Sequence, residues 1–183
     1  MKNTTSRRLF MRNSAFAITG FAVLTPTITS AFTTSESPYL GYNPYADTKA
    51  DLRTGIFSTN SVTVKGTIYQ KDGVTPLKNA TVEVWHLSPN STKYRHRSKL
   101  KTDEQGKYEF ITDFPNKEEG KSARIYFKAS KSESTYFTEL ALTEQGAHIT
   151  GEHWAKNSNL GKKLFPRRET FLGETTINFN LSV

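Results

Sequence analysis

The chain has 183 residues, enough for one domain with a substantial core, and its 25 Lys and Arg against 17 Asp and Glu give a formal charge of +8. It contains no cysteine, which excludes disulfides, thiolate metal sites and cysteine nucleophiles. No basic stripe interleaved with aromatics argues for nucleic acid, and no Walker-type loop or nucleophile elbow supplies a phosphate-binding or esterase class.

Residues 1–31 carry the layout of a bacterial export signal. Arg7-Arg8 is followed by an apolar run from Ser14 to Leu24 and by small residues at Thr29-Ser30-Ala31. The arginine pair matches the twin-arginine type, and the run is shorter than the roughly 20 residues that span a bilayer. Removing this segment takes away Lys2, Arg7, Arg8 and Arg12 and no acid, so the mature chain carries +4. The expected product starts near Phe32, has no membrane span, and is exported across the inner membrane to the periplasm or beyond. Its oligomeric state is not set by the sequence.

Residues 32–61 are rich in Ser, Thr, Pro and Tyr and read as an arm, whose tyrosines lay it across a domain surface. From Val62 the pattern is β. "VTVKGTIY" places Val62, Val64 and Ile68 on one face, and Asp72-Gly73 and Pro76 mark a turn. "ATVEVWHL" puts Ala80, Val82, Val84 and His86 on one face and Glu83 and Trp85 on the other. "TDEQGKYEFIT" is a turn feeding a strand. "SARIYFKAS" alternates Ile125 and Phe127 against Arg124, Tyr126 and Lys128. "TYFTELAL" and a terminal strand, "TTINFNLSV", complete the set. Only 143–163 lacks a strand pattern and is the place for a short helix or long loop. Short strands separated by turns predict an all-β fold, an antiparallel β-sandwich over 62–183.

A more specific pattern lies within these strands. Gly66, the Asp72-Gly73-x-x-Pro76 turn, Val82-Glu83-Val84-Trp85, Tyr94-Arg95-His96 and Thr102-Asp103-x-x-Gly106-x-Tyr108-x-Phe110 together resemble the core of the intradiol ring-cleavage dioxygenases. The resemblance runs from about Val62 to Val183. It implies the β-sandwich of that family, a ferric ion held by two tyrosinates and two histidines, and O2-dependent cleavage of catechol-type diols. Anionic oxygen ligands suit hard Fe(III), and imidazoles complete the set.

Carried over residue by residue, that scheme is incomplete here. Tyr94 stands at the first tyrosine position. The loop that should bring the second reads "DFPNKEEGKSA" and has no Tyr. The two histidine positions fall on Arg124 and Tyr126, and the supporting Arg falls on Lys121. Tyr126 can offer a phenolate, and His96, His148 or His153 can approach from loops, so Tyr94 and Tyr126 are the metal candidates and the histidines weaker ones. Lys121 and Arg124 are candidates for contacting an anion or substrate, because a permanent guanidinium repels iron and suits a carboxylate. Two expectations follow. One is an exported dioxygenase-like protein with divergent or lost ring cleavage and Fe(III) implied only by resemblance. The other is a metal-free β-sandwich binding or structural module taking a small aromatic or carboxylate ligand.

Overall fold

The computed structural model describes residues 37–55, 58 and 60–183; the expected export signal lies outside them. Among the described residues, ten strands form two facing sheets. They are β1 (Ser61–Tyr69), β2 (Thr81–His86), β3 (His96–Lys101), β4 (Lys107–Asp113), β5 (Ala123–Lys131), β6 (Ser134–Leu142), β7 (Ala147–Ile149), β8 (Arg167–Phe171), β9 (Glu174–Asn178) and β10 (Leu181–Ser182). One sheet is ordered β3-β2-β5-β6-β7, antiparallel throughout. In the other, β4 pairs antiparallel with β1, while β9 and β10 run parallel to β1 and β8 closes the edge. A helix α1 (Gly151–Asn157), capped by the Thr150 hydroxyl, and a 3-10 segment (Ser158–Leu164) occupy the stretch that lacks a strand pattern.

The alternation predicted for the strands is the one that folds. Val64, Ile68, Phe110, Ile177, Phe179 and Leu181 of one sheet meet Val82, Val84, Ile125, Phe127 and Leu140 of the other, all buried. The ring of Phe127 lies 5.0 Å from that of Phe179 and 6.2 Å from that of Phe110. Three strands lie outside the predicted set: β3, β8 and the short β7, which falls within the 143–163 stretch read as a short helix or long loop. The inward face of β3 is His96, Ser98 and Leu100, and β8 is exposed along its whole length. Pairing with a neighbour, rather than their own pattern, makes them strands.

The terminal strand is also broken where the sequence reads it as continuous. β9 and β10 lie end to end along β1, interrupted at Phe179-Asn180. The interruption is held by polar bonds. The Phe179 amide donates to Lys65 O (2.8 Å), the Tyr108 hydroxyl donates to Phe179 O (2.6 Å), and Asn180 Oδ1 accepts the Thr67 amide (2.9 Å). This arrangement needs Gly66, because a Cβ there would sit 1.7 Å from Phe179 O. A Gly→Ala change usually gains a few tenths to about 1 kcal/mol through the unfolded chain. Here the clash is with backbone that Tyr108 holds in place. Gly66→Ala should therefore destabilise by about 2 kcal/mol or more in urea melts; a variant as stable as wild type would refute the close approach.

Candidate functional site

Period-two alternation sends the odd residues of β2 and the even residues of β5 to the outer face of their sheet, away from the core. Trp85 and Tyr126 are direct neighbours there in the register, with Glu83 opposite Lys128 and Arg124 next along β5. Residues 39–49 pass over this face. Tyr39 stacks on Tyr126 with ring centroids 4.8 Å apart, and the Trp85 indole donates to Leu40 O (2.9 Å). Lys128 donates to the Tyr42 hydroxyl (2.6 Å) and pairs with Glu83 at 3.1 Å. A buried carboxylate with two ammonium partners (Lys99 is 3.6 Å away) thus anchors the covering segment.

Beneath Tyr39 the candidate residues Tyr94, Tyr126 and Lys121 converge on one side chain that the sequence reading did not single out, Glu118. The Tyr94 hydroxyl donates to Glu118 Oε1 at 2.8 Å, and the Tyr126 hydroxyl donates to the same oxygen. Lys121 holds Oε2 at 2.8 Å. Glu118 lies in the very loop where the family's second tyrosine is missing; its acidic pair Glu118-Glu119 was the available signal. Burial would raise the Glu118 carboxyl, but the bonds from Lys121, Tyr126 and Tyr94 outweigh it and hold the carboxylate ionised. Both phenols are pushed well up, first by burial and then by their bonds to Glu118. Arg124 pairs with Glu139, and its Nε meets no partner among the described residues. Each of the two cations that sequence reasoning offered to a ligand already carries a carboxylate.

The four histidines lie elsewhere. His86 and His96 project from the opposite, inward face of β2 and β3, stacked with centroids 4.7 Å apart. His96 Nε2 is 2.9 Å from Asp113 and its Nδ1 is 2.8 Å from the Ser88 hydroxyl; His86 bonds Thr112 (2.6 Å) and Leu87 O. His153 is fully buried against Phe179 and bonds Thr138 at 2.9 Å. His148 is exposed on β7, bonded to Thr143.

These residues do not fit the family's ferric ion. Two oxygens converge, but both are phenols acting as donors, with pKa values shifted away from the phenolate form. Strand parity turns His86 and His96 to the other side of the sheet, and Arg124, which the sequence resemblance sets at a histidine position, carries a guanidinium that cannot coordinate a cation. Among the described residues no three His, Asp or Glu side chains are grouped to hold a metal.

A catechol 1,2-dioxygenase of Acinetobacter lwoffii is 32% identical over 92 residues, 45% of this chain; the chain spans about a third, 33%, of that relative's length. Among solved structures, the dioxygenase domain of a dioxygenase–carbohydrate-binding fusion from Streptomyces sp. SirexAA-E superposes with a TM-score of 0.60 at 17% identity, covering 81% of this chain and 94% of that one. An intradiol ring-cleavage dioxygenase from Tetranychus urticae gives 0.58 at 14%, covering 79% and 89%. No protein-family profile matches the chain. The fold is that of the intradiol ring-cleavage dioxygenases, and the sequence resemblance to them stands.

The buried histidines have a consequence for stability. Burial lowers His86 from 6.5 to about 3 and His153 to about 4, so each binds fewer protons folded than unfolded. Their contribution is complete above pH 6.5 and is lost as pH falls toward those values. Asp113 acts in the same direction. Burial opposes its charge, but bonds from Ser58, Thr54 and His96 lower it, so its contribution fades as pH drops below the ordinary carboxylate range. Stability should fall steadily from pH 7 to pH 4. His153→Phe should reduce that loss by about 2 kcal/mol, read from urea midpoints; an unchanged pH slope would refute the assignment.

Proposed function

We propose that this protein is a binding module built on the intradiol dioxygenase sandwich, exported, with a proton-bearing phenol–carboxylate cluster at the position where relatives would hold iron. The observation that carries this reading is the shared acceptor: Tyr94 and Tyr126 both donate to Glu118, whose second oxygen is held by Lys121. A carboxylate there accepts the protons that iron would have to displace, and an ammonium adds positive charge beside it. Arg124 with Glu139 makes a second internal pair. The cluster sums to no net charge. It braces the loop containing Glu118 against β5, and it gives Tyr39 a flat ring on which to pack.

Ring cleavage is the second reading. The feature in its favour is the convergence of two phenol oxygens on one point of a fold shared with dioxygenases. The two readings part on iron. Protein expressed with added iron should be colourless, contain far less than one iron per chain, and leave catechol unchanged in oxygenated buffer. Tyr94→Phe should then leave the visible spectrum as it was. A burgundy protein with stoichiometric iron, whose colour disappears in Tyr94→Phe, would overturn the binding-module reading in favour of an oxygenase.

Export belongs to the same reading, supported by Arg7-Arg8 and the apolar run that follows. Intact-mass measurement on protein from the native compartment should give a chain starting near Phe32. A full-length cytoplasmic product would refute export.

A further inference from the structure

The ring of Tyr39 lies outside the anchors of the covering segment. From Leu40 onward the segment is bonded down. The Trp85 indole donates to Leu40 O (2.9 Å), Lys128 donates to the Tyr42 hydroxyl (2.6 Å), and Lys99 donates to Pro44 O (3.0 Å). Tyr39 precedes the first of these ties. Its amide donates to Ser37 Oγ (3.2 Å), and among the described residues no hydrogen bond joins its backbone or its hydroxyl to the sheet. What seats it is the stack on Tyr126, with centroids 4.8 Å apart and planes 30° apart. The ring can therefore swing away while every anchor stays made.

The floor beneath the ring does not depend on it. The Tyr126 hydroxyl is bonded to Glu118, and the Tyr126 ring is backed by Trp85 at 5.6 Å, with planes 26° apart. Tyr126 and Trp85 are both buried while Tyr39 is in place. Withdrawing Tyr39 wets a flat, apolar surface that is already formed, which favours a replacement ring of the same shape. The occupant of this slot is visible, and it gives the chemistry: a planar ring with one polar end.

The surroundings set the charge. Burial first, and then the charge of Glu139, push the Tyr39 phenol up to about 12, with Glu152 acting in the same direction. The cations on this side are already paired, Arg124 with Glu139 and Lys156 with Glu152, so none is left to receive an anionic ligand. The ring that fits is neutral. We propose that Tyr39 is an autoinhibitory plug, a tethered ring that shuts a slot on Tyr126 for a neutral monophenol. The assignment deepens the binding-module reading and rests on it. A tethered ring acts at an effective concentration on the order of millimolar, which holds the slot against weak free phenols. The affinity of the intact protein is lowered by the fraction of molecules that are open.

Isothermal titration with 4-methylphenol, the tyrosine side chain itself, tests it, with iron content read on the same preparation. Tyr39→Ala and Tyr39→Ser should each bind one 4-methylphenol per chain, at least about tenfold more tightly than wild type. Tyr39→Phe should stay shut like wild type, because the ring and not the hydroxyl closes the slot. Cyclohexanol, of similar size but not flat, and 4-methylbenzoate, flat but charged, should each bind Tyr39→Ala at least about tenfold more weakly than the phenol. Intermolecular nuclear Overhauser effects in Tyr39→Ala should place the bound ring against Tyr126. Wild type or Tyr39→Phe binding the phenol as tightly as Tyr39→Ala would overturn the proposal. So would equal binding of cyclohexanol or 4-methylbenzoate, a bound ring remote from Tyr126, or no binding by Tyr39→Ala up to the solubility limit of the phenol. Failure with iron-free protein sinks this assignment alone; stoichiometric iron sinks the reading beneath it.

Discussion

The alternation of side chains across β2 and β5 governs everything else in this molecule. These adjacent strands sit within their sheet, and each residue must face either the opposite sheet or the outside. Val82, Val84, Ile125 and Phe127 face inward and build the core; Glu83, Trp85, Arg124, Tyr126 and Lys128 face outward and build the candidate site. A shift of one residue would exchange the two sets, burying an arginine, a lysine and a glutamate at once. The register is thus fixed by the core, and the chemistry of the outer face is a consequence of it.

The same parity explains why the imidazoles of this chain do not serve the outer cluster. His86 shares the face of Val84, and its partner His96 lies opposite it in the register, so both point between the sheets. There they are stacked, buried and bonded to Thr112, Ser88 and Asp113. A buried network of this kind stabilises only while its members keep the right protonation, and acid is its weakness. On the outer face the roles are taken by groups of opposite character. Two phenols give hydrogen bonds to a carboxylate, and a lysine offsets its charge.

The covering segment links core and surface. Tyr39 and Tyr42 rest on Tyr126, Trp85 and Lys128, and the chain then crosses to the second sheet, where Leu52 enters the core. The Glu83 carboxylate, Lys128 and the Tyr42 hydroxyl form one bonded chain, so a buried charge and the covering segment need each other. This is also what exposes Tyr45 beside Arg95 and Arg97. The segment is held at Tyr42, Pro44 and Asp47, and the ring between those anchors is left outside.

The sequence alone determined the strands with strong alternation, the turn at Asp72-Gly73, the break in strand pattern over 143–163 and the likeness to intradiol dioxygenases, because each depends on local pattern or on motif. It also brought forward Tyr94, Tyr126 and Lys121, which do meet. Tertiary structure alone decided what they meet. Glu118 joins the cluster through a loop whose path no periodicity encodes, and Glu139 reaches Arg124 only through the pairing of β5 with β6. β3 and β8 become strands because a neighbour offers them hydrogen bonds, and the break at Phe179 exists because Gly66, far away in sequence, leaves room for a carbonyl. Local sequence fixes which face a residue prefers; only the packed chain fixes which partner waits there, since that partner comes from a segment the pattern cannot see.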